Sequence, residues 1–516
     1  MIIERRKNAS KNMASGFLLK LFQTLVPFLL RSVMIYKMGM EYVGLDGLFS
    51  SILHVLNLTE LGVGSAMVYS MYKPIANDDE TKLKALLNLY KLYYRLIGVF
   101  VLVGGLILIP FLPKLISGDV PSGVNLYVLF VINLLATVAS YWLFAYKTSL
   151  LMAHQKTSIS NNILLVSFVV RYTLQFIAIF AFRNIYFYFM AILLAQLLTN
   201  LLTCIITDRL YPRYKPVGAL SEEDRKDINA HIRDLFTAKL GATVTNSADA
   251  VVISSFLGLT VLAKYHNYYY ILSALFGFMI IIFQSCLAGI GNSLVVEKTE
   301  KNYRDFETFS MFLTWIIGFC STGIFCLIQP FMKIWVHQQN MLDDSFALLF
   351  SIYFYVYEIA LIWSTYKDAG GIWHKDRFRP LCVTVVNLGL NLLFVNFLGL
   401  YGVIMSTVIS YLFVGMPWLI HNIFTTLFKR NPKNYLLKIV FGVFVTVVSC
   451  AVSRFACGFV SIEGVVGFLL KGAIVTVLSN AVFVAFYCKT KDFAEVKKLF
   501  LKLTKKFGLA KTGKQY

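Results

Sequence analysis

Long apolar stretches separated by short polar connections run through this chain from residue 15 to residue 488. A helix needs about 20 apolar residues to cross the hydrocarbon of a bilayer. On that measure the pattern predicts fourteen spans: 15–36, 43–72, 88–113, 124–146, 161–182, 185–207, 236–257, 265–294, 308–332, 345–366, 380–398, 400–426, 436–459 and 464–488. The seventh is rich in small polar residues, and the pairs five/six and eleven/twelve are closely spaced, so twelve is the alternative count. An even number puts both ends on one side. Lys and Arg concentrate in the two ends and in alternate connections, so both termini are expected in the cytoplasm. The longest connection on that side, 208–235, falls between spans six and seven. It divides the chain into an expected N-terminal six-helix lobe (1–207), a linker (208–235), a C-terminal six-helix lobe (236–426), two added helices (427–488) and a basic tail (489–516).

The two lobes read as copies. Leu61-Gly62-Val63-Gly64 ends span two, and Ala288-Gly289-Ile290-Gly291 ends span eight. Ile97-Gly98 and Ile109-Pro110 recur, at one and the same offset, as Ile317-Gly318 and Gln329-Pro330. Six helices per copy is an even number, which implies parallel repeats about an axis along the membrane normal. The expected fold is an all-α polytopic membrane protein, with two lobes around a central cavity.

Composition agrees. The 516 residues are 58% hydrophobic and only 15% charged, against roughly 25% charged in soluble chains. Mean hydropathy is +0.68. These values exclude a soluble enzyme, a disordered chain and a small disulfide scaffold. The net charge of +21 sits in connections and tail, where anionic membrane lipids are the natural partner. The nine lysines of the tail predict a basic amphipathic helix on such lipids near 497–507. No nucleic-acid-binding signature accompanies the charge. The eight cysteines lie mostly in apolar runs with no CxxC pair and read as small core residues. The start, Arg5-Arg6-Lys7 before an apolar stretch, imitates a secretion signal. That stretch is long enough to span, holds Arg31 and lacks a small-residue cleavage site, so it is read as span one.

No catalytic constellation is present: HExxH, GxSxG, Walker A and GxGxxG are all missing. No enzyme activity, metal or cofactor is therefore expected. Asp78-Asp79-Glu80 reads as the acidic start of a helix.

Polar residues inside the spans carry the information, since they are costly in lipid. In span one, Lys20, Thr24, Pro27 and Arg31 share one helix face. They form a cationic wall for an anionic substrate, or Lys20 snorkels and Arg31 pairs with a neighbouring acid. In span two, Asp46, Ser50, His54, Asn57 and Gly64 make a polar stripe with Glu60 at its edge, read as cavity lining. Glu60 is one possible partner of Arg31. Span seven repeats the theme with Lys239, Thr243, Asn246 and Asp249. Span eight opens with Lys264-Tyr265-His266-Asn267-Tyr268-Tyr269-Tyr270, an interfacial aromatic belt or a sugar-stacking surface. Arg171 with Gln175 in span five, and Glu358 in span ten, are expected to face a cavity or be paired. Arg95 and Lys471, near span ends, are expected to snorkel. Candidate substrate contacts are thus Lys20, Arg31, Asn57, Arg171, Asn246 and Lys264. Candidate ion-coupling or cavity carboxylates are Asp46, Glu60, Asp249 and Glu358.

The run from Tyr42 to Gly98 resembles the polysaccharide transporter family, Wzx-type lipid-linked oligosaccharide flippases of the multidrug/oligosaccharidyl-lipid/polysaccharide export (MOP) superfamily. Val43-Gly44-Leu45, Gly47-Leu48-Phe49 and Glu60-Leu61-Gly62-Val63-Gly64 stand where that family has its G-L…G-L-F and D/E-L-G stretches. The resemblance implies outward translocation of an undecaprenyl-diphosphate-linked oligosaccharide for surface polysaccharide (capsule, exopolysaccharide or O-antigen). It implies alternating access, location in the cell (inner or plasma) membrane, and the pathway's polymerase as a further partner. Lys20 and Arg31 stand in a place comparable to the diphosphate-holding cations of relatives. Span eight brings a cation only at Lys264, and Arg171 is the substitute for a second clamp. The alternatives are a cation-coupled multidrug antiporter of the MATE type, which favours a carboxylate-rich cavity, a glycosyl polymerase or ligase, which needs a large outside loop, and a scaffold without transport.

Overall fold

The computed structural model describes residues 5–60, 63–118, 120, 121 and 123–497, and for 5–10, 13, 58, 59, 65, 231, 234–246 and 288 the backbone alone. Leu61 and Gly62 of the family-like motif, the side chain of Asn246 and the predicted tail helix from 498 onward lie outside the described residues. Every described regular element is helical. The chain forms two compact units, Met1–His266 and Asn267–Tyr516.

In the first unit the helices are Arg5–Lys37 (α1), Met40–Leu56 (α2), Val63–Ala76 (α3), Glu80–Leu108 (α4), Leu126–Trp142 (α5), Ala145–Ala153 (α6), Thr157–Ile177 (α7), Ile185–Leu210 (α8) and Glu222–Leu257 (α9). The next helix, Leu259–Val296 (α10), straddles the division. The second unit continues with Thr299–Val336 (α11), Ser345–Ala369 (α12), the single turn Trp373–Asp376 (α13), Arg379–Leu398 (α14), Leu400–Ser410 (α15), Met416–Ile423 (α16), Lys433–Gly458 (α17) and Gly464–Tyr487 (α18).

Eleven helical stretches are long and apolar enough to span, twelve with the bent pair α5–α6, which turns by 48°. The two predicted spans outside that count are helical as well. Span two is broken by a 3-10 turn, Asn57–Glu60, between α2 and α3. Span seven is the second half of α9, whose apolar part, Ser247–Leu257, is short. The predicted linker is only partly a loop. Helix α9 starts at Glu222, where Ser221 Oγ accepts from Asp224 N and three acids sit in the first turn. Both parts of the linker are tied to α4: Lys82 Nζ lies 2.7 Å from Asp224 Oδ1 of α9, and Asn88 Nδ2 donates to Gly218 O of the loop at 2.9 Å. The acidic start at 78–80 caps α4 as expected, with Asp79 Oδ1 accepting from Lys82 N.

Large apolar side chains such as Phe100, Val385, Phe397, Phe413 and Phe455 are exposed on the spans. Water would not tolerate this surface and lipid does, so the chain is a multi-pass membrane protein. Glycines set the closest helix approaches. A Cβ at Gly44 would collide with the carbonyl of Leu259, and one at Gly47 with the His266 ring, so α2 lies tight against the start of α10. The repeated glycines do parallel work: Gly98 accommodates the Trp142 indole, and Gly318 accommodates Phe483 and Thr446. In the second unit α17 and α18 pack on α11 through a hydroxyl chain. Ser449 Oγ lies 3.0 Å from Thr322 Oγ1 and donates to Ser479 Oγ at 2.9 Å.

Candidate functional site

The first unit gathers three of the predicted intramembrane charges. Asp46 on α2 accepts a hydrogen bond from the Tyr188 hydroxyl on α8, and the charges of Arg171 on α7 and Arg31 on α1 both act on its carboxylate. Four helices thus contribute to one ionic neighbourhood. Each side chain is there for a local reason. Arg31 lies one turn past Pro27 on α1. Asp46 lies between Gly44 and Gly47, where the glycines let α2 approach α10 closely. Arg31 Nη2 donates to the carbonyl of Ala263 at 3.4 Å, which ties α1 to the first turns of α10 and sets Lys264 next to the contact. His266 is also within the field of Arg31.

Charge compensation is incomplete at the side facing Arg171. Its Nε is buried and has no hydrogen-bond partner among the described residues, while its guanidinium lies 5.5 Å from the Tyr172 ring centroid. A guanidinium with a donor to spare can hold a further oxygen anion. Asp46, Arg31 and Arg171 are each half-buried, so the group is reachable.

The other predicted residues fall elsewhere. Lys20 is exposed on α1, eleven residues from Arg31, roughly 16 Å along the helix. Glu60 accepts from Tyr94 Oη at 2.9 Å, and Tyr90 donates to Tyr94 at 2.9 Å. Asn57 stands at the break after α2 with a buried, unpartnered Oδ1. Ser50 and His54, on the Asp46 face, are exposed. Asp249 is buried on α9, which packs against α2 and α3.

Glu358 is fully buried on α12, away from lipid, and both carboxylate oxygens lack a hydrogen-bond partner among the described residues. Helix α12 packs there against α11, α15 and α16. Two turns away Ser351 Oγ donates to the Ser321 carbonyl at 2.8 Å, and one turn away the Tyr355 hydroxyl is likewise unpartnered.

Sequence reasoning missed Tyr188 and His266 as members of the first cluster. Tyr188 sits in an aromatic run, Tyr186-Phe187-Tyr188-Phe189, indistinguishable by sequence from an interfacial belt. His266 was visible only as part of the tyrosine-rich start of span eight. Among the described residues no group of three or more His, Cys, Asp or Glu could hold a metal ion.

This helical arrangement has counterparts among solved membrane proteins. Over 91% of this chain and 98% of the other, it is similar to the lipid II flippase MurJ in an inward closed conformation (TM-score 0.67, 14% identity). It is also similar to an inward-facing multidrug resistance MATE family transporter of the MOP superfamily (TM-score 0.62, 15% identity, 78% and 93% covered). A third likeness is a mutant of the Vibrio cholerae MATE transporter VcmN (TM-score 0.53, 14% identity, 82% and 99% covered). No family model matches the sequence. No curated protein matches it either. At these identities the likeness establishes the fold.

Proposed function

We propose that this chain is a flippase that moves an undecaprenyl-diphosphate-linked oligosaccharide from the cytoplasmic to the outer leaflet for surface polysaccharide synthesis. The observation that carries the reading is the convergence of Arg31 and Arg171 on Asp46 with one buried guanidinium donor left over. A diphosphate brings about two negative charges, and a bidentate guanidinium stabilises them strongly where the dielectric is low. Asp46 keeps the pair of cations compensated while the site is empty and is displaced from them when substrate arrives. The exposed polar stripe of α2 supports an aqueous path beside the cluster, since such a stripe is costly against lipid. Lys20 and Lys264 extend the cationic surface along α1 and α10.

The transport involves no covalent chemistry on the sugar. Its drive is a cation gradient, the membrane potential, or removal of product by the pathway's polymerase, and Glu358 is the carboxylate best placed to take up a coupling cation. Both termini lie in the cytoplasm, in the cell membrane; the crowding of Lys and Arg at one end of the spans supports this orientation. A MATE-type antiporter is the second reading, and the lone acid Glu358 favours it, because a buried carboxylate serves a cationic drug or ion.

The deciding experiment is mass spectrometry of lipid-linked intermediates after depletion of the protein. Accumulation of a complete undecaprenyl-linked repeat unit on the inner leaflet, reproduced by Arg31→Ala at normal protein level, is the expected result. Retention of cationic dyes without any accumulating lipid-linked sugar would overturn the flippase reading in favour of the antiporter.

A further inference from the structure

The second unit has two ends of very different charge. At the end where α10, α12, α16 and α18 finish and α11, α14 and α17 begin, Lys and Arg are abundant, among them Lys298, Lys301, Arg304, Arg379, Arg430 and Lys433. At the opposite end, where α11 and α17 finish and α18 begins, the described residues hold three: Lys333, Arg454 and Lys471. All three line one cavity of about 800 Å³ between α11, α17, α18 and their connections. Ligand sites typically have volumes of roughly 300–1,000 Å³.

The charges in this cavity are layered. Glu463 and Asp344, its two acids, are exposed, with side chains 76% and 77% accessible. The Lys333 and Arg454 side chains are 48% and 45% accessible and so lie lower. Lys333 Nζ is 2.6 Å from Glu463 Oε1. Arg454 reaches Asp344 Oδ2 only at 3.9 Å and rests over the Phe325 ring, 5.7 Å from its centroid. The backbone of Lys471 is deepest, seven residues into α18 and roughly 10 Å below its start. Lys471 has no ion pair within 4 Å among the described residues, and its charge acts on Glu463. An ammonium rooted at that depth is stabilised by an anion or by water. The first turn of α18 opens at the same cavity without a side-chain cap, so its free N–H groups add positive potential at the mouth. The walls mix apolar side chains such as Pro330, Ile334, Val465 and Phe468 with polar ones such as Gln329 and His337. Three cations, partly apolar walls and a mouth at the end of the helices suit a headgroup whose tails remain in the bilayer.

We infer that this cavity between α11, α17 and α18 is a binding site for the phosphate headgroup of an anionic membrane lipid. Lys471 and Arg454 hold the phosphate, and Lys333 is released from Glu463 to join them. The site is remote in sequence from the Arg31–Asp46–Arg171 cluster and does not depend on the transport reading. On the proposed orientation it serves the outer leaflet.

The test is thermal unfolding of the purified full chain, stripped of lipid in detergent and given phosphatidylglycerol, phosphatidylethanolamine or inorganic phosphate. Phosphatidylglycerol is expected to raise the midpoint by about 5 °C, phosphatidylethanolamine by less, and inorganic phosphate not at all. Lys471→Gln and Arg454→Gln each abolish most of that rise. Lys301→Gln, the same charge change at the opposite end, keeps it, and Lys471→Arg keeps it too. Native mass spectrometry of the unaltered protein should show one retained phosphatidylglycerol that is lost as ionic strength increases. An undiminished rise in the Lys471→Gln/Arg454→Gln double variant, an equal rise with inorganic phosphate, or salt-independent retention would each overturn the inference. The mass-spectrometric arm decides the matter if the double variant fails to fold.

Discussion

The two units handle charge inside the membrane in opposite ways. In the first, cations from α1 and α7 act on an acid from α2, and a tyrosine from α8 completes the group. In the second, the interior acid Glu358 stands alone on α12, and the cations lie toward the two ends of the helices. Opposite charges in one cluster offset part of each other's desolvation cost, and the group can exchange partners. A lone buried carboxylate has no such counter-charge, and its stable forms are the neutral acid or a cation complex. On the proposed reading the two units have different tasks: the first takes an anion, the second a proton or a metal cation.

The comparison can be broken most severely at the helix contact that positions Asp46. Gly44→Leu drives a side chain into the Leu259 backbone and should abolish folded protein; Gly44→Ala should cost about 1–3 kcal/mol, read as a lowered melting midpoint in detergent. Gly47→Ala meets only the His266 side chain and should cost less. Next in size is the proposed anion clamp. Arg31→Ala and Arg171→Ala should each reduce flipping about tenfold or more, the worth of one charge-assisted hydrogen bond, with protein level unchanged. Arg171→Lys should fail to restore it, since an ammonium lacks the fork.

Glu358→Gln sharpens the other half of the comparison. The amide matches the neutral acid in shape, so stability should change by less than about 1 kcal/mol. Transport driven by a cation gradient should nevertheless stop, as measured in proteoliposomes. Gradient-driven transport at the original rate would remove Glu358 from coupling. The smallest effect lies outside the membrane. Lys82 and Ser221 hold the Asp224 carboxyl below its usual value by hydrogen bonding. That contribution is present above the ordinary carboxyl pKa of about 4 and is lost as the pH falls through the lower folded value. Limited proteolysis of 211–221 should accelerate there, and Asp224→Asn should remove the pH dependence.

Much of this architecture was legible in the sequence. Span lengths, the cap at Asp79 and the identity of every intramembrane charge follow from hydropathy and helix periodicity, which are local properties; the division into units does not, since it falls after His266 and not in the polar stretch 208–235. The break of span two at Asn57–Glu60 and the helical half of the linker were not legible. Apolar runs do not record where a helix bends, and the cap at Ser221 opens a polar stretch with no apolar periodicity behind it. The same periodicity placed Lys20 and Arg31 on one face of α1, yet only Arg31 reaches the ionic cluster.

Partnership between helices was a matter for the tertiary structure. Periodicity says which residues share a face, but not which distant helix that face meets. Packing brought Arg171 and Tyr188 to Asp46, gave Glu60 to Tyr94, buried Glu358 without a hydrogen-bond partner and drew Lys333, Arg454 and Lys471 to one cavity. The physical reason is the same in each case. Inside a bilayer every helix is already satisfied along its own backbone, so side-chain fit and a few small residues decide its neighbours, and those contacts join residues far apart in the chain.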